Sequence, residues 1–133
     1  MPREKLPMTR RGKTHRGTIF NEGTGDAVKL HITVNTYADG RPAELFVSSD
    51  QHGGTLDGML DAWSTAVSLY WQMGGDVGTF VRHFSYQNFS PLGWTDNPAI
   101  HVARSVVDYI ARWVGMEYGE KAKTVLDQSE EKG

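Results

Sequence analysis

From Ala27 to Tyr37 the chain alternates hydrophobic and polar side chains: Val28, Leu30, Ile32 and Val34 fall on one side, Lys29, His31, Thr33 and Asn35 on the other. A period of two predicts a strand with one buried and one wet face. Ala38-Asp39-Gly40 follows as a hairpin signal. The segment from Ala43 to Ser49 then returns, with Ala43, Leu45 and Val47 as its inward set. Thr14 to Asn21 predicts a shorter strand that runs into the turn-forming Glu22-Gly23-Thr24-Gly25-Asp26. Together these make a three-stranded antiparallel meander with one face covered. Its two open edges are a physical reason to expect a homo-oligomer.

From Asp50 onward the period changes. Leu56, Met59, Leu60, Trp63, Ala66, Val67, Tyr70 and Met73 recur at helical spacing, with Thr55 as the expected N-cap and Gly74-Gly75 as a left-handed stop. Asp76 is placed to cap a shorter helix through about Phe84. After a loop over residues 85–95, Asp96 or Asn97 is the expected cap of a third helix, with Pro98 at its permitted first-turn position. That helix is predicted to bury Ala99, Ala103, Val106, Val107, Ile110, Trp113 and Val114 and to end near Gly119. Strands followed by helices define an α+β fold: a three-stranded antiparallel sheet with three helices packed on one face. A flexible basic arm over residues 1–13 is expected before a single domain spanning 14–118, and an acidic flexible tail over 119–133 after it.

Composition narrows the chemistry. The 133 residues contain no cysteine, which excludes disulfides, thiolate metal sites and a cysteine nucleophile. No apolar run approaches the roughly 20 residues of a membrane span, so a cytoplasmic protein with no membrane partner is expected. The net charge of −2 argues against a dedicated nucleic-acid binder.

Five histidines stand at 15, 31, 52, 83 and 101, and no two are spaced to share a helix face as metal ligands. Ser48, Ser49 and Ser90 lack the context of a nucleophile elbow. Asp57 and Asp61 lie one helical turn apart, on what reads as a solvated outer face. No catalytic residue, cofactor or metal site is therefore assigned. Two binding candidates remain. His52, Gly53, Gly54 and Thr55 open a helix where backbone amides can approach a nucleotide phosphate, with Arg41, Arg82 and Trp94 as accessory groups. The loop from Tyr86 to Trp94 offers Phe89 and Trp94 for stacking and Asn88 for reading a base edge. Trp71 sits off the main stripe of its helix and is the candidate for an oligomer interface.

The segments DGRPAELF (39–46), GGTLDGMLDAWSTAVSL (53–69), FSPLGWTDNPAI (89–100) and SVVDYIARWVG (105–115) together resemble the region that follows the catalytic barrel in adenosylcobalamin-dependent, class II ribonucleotide reductases. That region is related to the TSCPD domain, and the resemblance covers roughly residues 10 to 116. It implies an accessory or regulatory piece that binds a reductase catalytic chain or a nucleotide, without catalysis of its own. The thiyl radical and cysteine pair of those enzymes have no counterpart among these residues. Asn88 and Ser90 stand where an arginine and a glutamate usually flank the loop phenylalanine. An independent nucleotide-sensing module and a structural homo-oligomer are the alternative functions.

Overall fold

The computed structural model describes residues 2–51 and 53–119. In chain order it contains β1 (Arg11–Phe20), β2 (Ala27–Thr36), β3 (Pro42–Ser49), α1 (Thr55–Gln72), α2 (Val77–Phe84), β4 (Gly93–Trp94), β5 (Val102–Ala103) and α3 (Val106–Tyr118). The first three strands form one antiparallel sheet in the order β1-β2-β3, and β4 and β5 form a separate two-stranded ribbon. The fold is α+β, as the alternation and helical stripes predict. Among the described residues no helix is long and apolar enough to cross a membrane.

The inward set of β2 is as expected: Val28, Leu30, Ile32 and Val34 are all buried, and Ile32 lies opposite His15 on β1 and Val47 on β3. β1 begins at Arg11 instead of Thr14, because it pairs with β2 along its whole length, Arg11 opposite Thr36 and Phe20 opposite Ala27. Residues 11–13 therefore belong to the sheet and not to an arm. Further out, the Glu4 amide donates to Gln72 O (2.8 Å) and the Tyr37 hydroxyl to Glu4 O (2.8 Å). The expected acidic tail from residue 120 on lies outside the described residues.

Both edges of the sheet are partly covered. In an antiparallel pair only alternate residues direct their backbone groups at the neighbour, so an edge strand has outward groups to satisfy. On β3, Ser68 Oγ accepts from Leu45 N (2.9 Å), Gln72 Nε2 donates to Ala43 O (3.0 Å), and Asp57 accepts from both Ser49 N and Ser49 Oγ (2.7 and 2.9 Å). All three side chains belong to α1. Asp57 is thus half-buried against β3, not on a solvated face. On the other edge Ile19 bridges Thr95, and Thr18 N donates to Asp96 Oδ1 (2.9 Å).

The buried line of α1 is Leu60, Ser64, Val67 and Trp71. Met59, Ala66 and Met73, members of the predicted stripe, face outward. Trp71 is only 2% exposed and packs edge-on against Phe80 at 5.2 Å, so it is a core residue and not an interface. Trp63 and Phe84 extend the same aromatic cluster. Gly54, not Thr55, is the N-cap of α1, and it makes no side-chain cap bond. Gly74 follows the helix with φ +95°, the left-handed stop expected there.

α3 is shorter than predicted. It starts at Val106 behind Ser105, whose Oγ accepts from Asp108 N (2.9 Å). Asn97 does act as a local cap, but of a turn: its Oδ1 accepts from Ala99 N (2.9 Å) and its carbonyl from Ile100 N (3.0 Å). The chain then enters β5 instead of a helix. Residues 105–111 are all buried, because α3 lies between the sheet, α2 and the 85–105 segment.

Candidate functional site

The glycine-rich start of α1 and its expected partners do not converge. α1 runs antiparallel to β3, with the Asp57–Ser49 contact at one end and the Gln72–Ala43 contact at the other. Gly53, Gly54 and Thr55 sit at the first end, while Arg41, in the β2–β3 hairpin, sits at the second. An 18-residue helix separates them, about 27 Å at 1.5 Å per residue. Arg41 is engaged locally, by Asp39 (2.7 Å), by Glu4 (3.1 Å) and against the Tyr37 ring (4.7 Å). Arg82 bonds within α2, to Thr79 Oγ1 (3.0 Å). The first turn of α1 already holds the Asp57 carboxylate, which disfavours an anion there. His52 lies outside the described residues.

The 85–105 segment is different. It begins at Ser85, the C-cap of α2, and Tyr86 takes φ +66°, a backbone state that a bulky residue rarely adopts. That conformation is held by a single carboxylate. Asp108, fully buried in the first turn of α3, accepts from Tyr86 N (2.6 Å), from Arg104 N (2.8 Å) and from Arg112 through both Nε (2.9 Å) and Nη2 (2.7 Å). Arg112 also donates to the Val102 carbonyl. A buried carboxylate with four such partners is a rigid anchor, because each departure would leave charge unpaired in a low dielectric. Phe89 N donates to Arg104 O (3.0 Å), which ties the near side of the loop to the far side.

The anchored loop exposes apolar and cationic side chains. Tyr86 is 60% exposed, Phe89 42%, Trp94 66% and Val102 41%. The guanidiniums of Arg112 and Arg104 lie 5.0 and 5.8 Å from the Tyr86 ring centre. Trp94 is directly opposite Val102 in the ribbon. The structure therefore places Phe89, Trp94 and the exposed Asn88 on the loop where the sequence located them. It adds Tyr86, Val102, Arg104, Asp108 and Arg112, which the sequence reading did not single out. The signal for Asp108 was present: Ser105-Val106-Val107-Asp108 is a serine-to-acid capping pattern before an apolar run.

Beneath the ribbon, Asn97 Nδ2 donates to the Tyr109 hydroxyl (3.3 Å), which lies 2.7 Å from His15 Nε2. This chain of polar groups joins the loop, α3 and β1. Burial lowers the His15 pKa below 6.5, opposed by Asp96 and then Glu117. Burial also raises that of Tyr109. With its oxygen accepting from Asn97, the Tyr109 hydroxyl has its own hydrogen to share with a neutral His15 imidazole, and protonation of that ring would remove the acceptor. Since the unfolded chain takes up the proton first, the contribution of His15 to stability is complete above pH 6.5 and is lost as pH falls from 6.5 toward the folded-state pKa. Thermal melts of the wild type and His15→Gln just below pH 6.5 test this. The wild type is expected to lose Tm more steeply, and equal slopes would refute the assignment.

Among the described residues no group of three histidine, aspartate or glutamate side chains is placed to hold a metal. The site is a scaffolded loop that exposes rings beside arginine.

The family model of the TSCPD domain matches residues 3–118, and the chain belongs to that family. It is similar to the vitamin B12-dependent ribonucleotide reductase of Rhodopirellula baltica, 41% identical over 117 residues, which covers 87% of this chain and 11% of that enzyme. The enzymes of the same name from Streptomyces avermitilis and Agrobacterium fabrum are 38% and 31% identical, over 87% of this chain and 11% and 9% of theirs. The chain thus corresponds to a small part of the reductases it resembles. No solved structure gives a significant match.

Proposed function

We propose that this domain is a noncatalytic, cytoplasmic, ribonucleotide-reductase-related module that works by docking on the catalytic portion of a vitamin B12-dependent ribonucleotide reductase. The observation that carries this reading is the use of a fully buried Asp108 to fix a loop that exposes Tyr86, Phe89, Trp94 and Val102. Rigid exposed aromatics beside arginine are what high-affinity protein contacts are built from. The match to a limited segment of the reductases, together with a chain free of cysteine, supports a binding role. The test is titration of this chain against a B12-dependent reductase from which the corresponding segment has been deleted. Saturable binding is expected, and Trp94→Ala or Tyr86→Ala should weaken it roughly 30-fold, the ~2 kcal/mol of an aromatic hot spot. Absence of binding, or binding indifferent to both substitutions, would refute the reading.

The same pairing of rings with arginine favours a second reading, a nucleotide seated on the loop. Of the residues expected to contact a nucleotide, Asn88, Phe89 and Trp94 lie there, with Arg104 beside Tyr86. Native mass spectrometry with a nucleotide panel separates the two readings. An adduct of fixed stoichiometry that disappears in Trp94→Ala would replace the docking surface by a ligand site.

A further inference from the structure

A second surface, remote in character from the loop, lies on the outer side of α1. The exposed positions there are Gly58, Met59, Asp61, Ala62, Thr65, Ala66 and Leu69, continuing to Met73 beyond the helix end. Asp61 is the one charged residue among them. A helix side turned to water is normally dense in charge, and depletion of charge marks the centre of an interface. Met59, Leu69 and Met73 are 65%, 39% and 49% exposed. Met59, Ala62, Ala66, Leu69 and Met73 follow each other at spacings of three, four, three and four, the spacing of a helix-pairing seam.

We infer that α1 pairs with α1 of a second copy of this chain, antiparallel, about a two-fold axis passing close to Ala66. The seam is nearly its own mirror about that residue. Met59 and Met73 lie seven positions to either side, and Ala62 and Leu69 four before and three after. An axis perpendicular to the helix therefore sets Met59 against Met73 of the second copy and Leu69 against the small Ala62, while Ala66 meets itself at the crossing. A two-fold interface requires this self-complementarity, and docking on an unrelated protein gives no reason for it. The parallel alternative fits less well. It would oppose Leu69 to Leu69 across a seam left hollow at Ala62, set Asp61 beside Asp61, and align the two helix dipoles.

Two further observations agree. Between α1 and α2 runs a groove of about 530 Å³ lined by Trp63, Ala66, Val67, Tyr70, Phe80 and Phe84. Ala66 belongs to both groove and seam, so a second α1 crossing there also covers this apolar surface. On β3, the other natural route to self-association, outward backbone groups of Ala43, Leu45 and Ser49 are taken by Gln72, Ser68 and Asp57. Among the described residues the outer side of α1 carries no such local partner.

The absence of cysteine makes the test clean. A two-fold at Ala66 brings its two Cα atoms into the range of about 4.4–6.8 Å that a disulfide spans. Under mild oxidation Ala66→Cys should form a cross-linked dimer nearly completely. Ser48→Cys, exposed on the far face of the sheet, should yield only traces. In sedimentation the wild type should show twice the 14.8 kDa chain mass, and Ala66→Glu and Leu69→Lys should each shift it to one. Both substitutions are at exposed sites, and an unchanged circular dichroism spectrum identifies the variant to be read. A wild type that stays monomeric at high concentration, equal cross-linking of the two cysteine variants, or a dimer that survives both charge insertions would overturn the proposal. None of these outcomes depends on the loop or on a reductase.

Discussion

Asp108→Ala is expected to release the whole 85–105 segment and to cost about 3–5 kcal/mol of stability, the range for a buried ion pair that loses one partner. The carboxylate is fully buried and answers four donors at once: two backbone amides on opposite sides of the loop and the fork of Arg112. Removal leaves the guanidinium without its counter-charge and the Tyr86 and Arg104 amides without an acceptor. Against a typical total of about 5–15 kcal/mol, that loss approaches unfolding. Urea denaturation gives the magnitude, and near-ultraviolet circular dichroism reports the surroundings of Tyr86 and Trp94. Asp108→Ala combined with Arg112→Met should recover part of the loss, since no unpaired charge then remains. A single mutant within about 1 kcal/mol of the wild type would mean that the anchor is not structural.

Gly17→Ala should be nearly as damaging, for a steric reason. A Cβ at residue 17 would stand 2.2 Å from the Tyr109 hydroxyl oxygen and 2.6 Å from its Cζ. Tyr109 is fully buried and its hydroxyl is fixed between His15 and Asn97, so the ring has nowhere to retreat. Overpacking of this kind costs about 1–3 kcal/mol, and displacing the hydroxyl from two partners adds about 1 kcal/mol for each. Adding Tyr109→Phe to Gly17→Ala removes the closest clashing atom. It should restore part of the stability, whereas Tyr109→Phe alone should lower it. Equal melting temperatures for Gly17→Ala and the wild type would show that β1 can move away from α3.

The sheet was legible because its strands carry a one-sided alternation, and only one register buries Val28, Leu30, Ile32 and Val34 together. α1 was legible as a helix but not in its rotation. Its sequence is apolar on two sides, so periodicity alone could not decide whether Trp71 or Met73 faces inward. Contact with β3 through Asp57, Ser68 and Gln72 decides it, and polar residues are what a hydrophobic stripe ignores. The start of α3 was misplaced because Asn97-Pro98 has the form of a helix cap, while the stronger box at Ser105–Asp108 lies deeper in the apolar run. Of the candidate site, the exposed loop with Phe89 and Trp94 could be read directly from composition. The capping pattern marks Asp108 as a helix-start residue, but its burial and its bonds to Tyr86 and Arg104 come from tertiary packing that the pattern does not carry. Arg41 and the Gly53–Thr55 turn precede and follow β3, so the predicted strand already sets them at opposite ends of it.

Lys13 and Glu117 form an ion pair at 2.6 Å, although 104 positions separate them along the chain. The first strand of the sheet therefore begins beside the place where α3 ends. A body whose entrance and exit adjoin can be set into a surface loop of a larger host without forcing the host apart, and it can be cut at a distant turn and rejoined at its old ends.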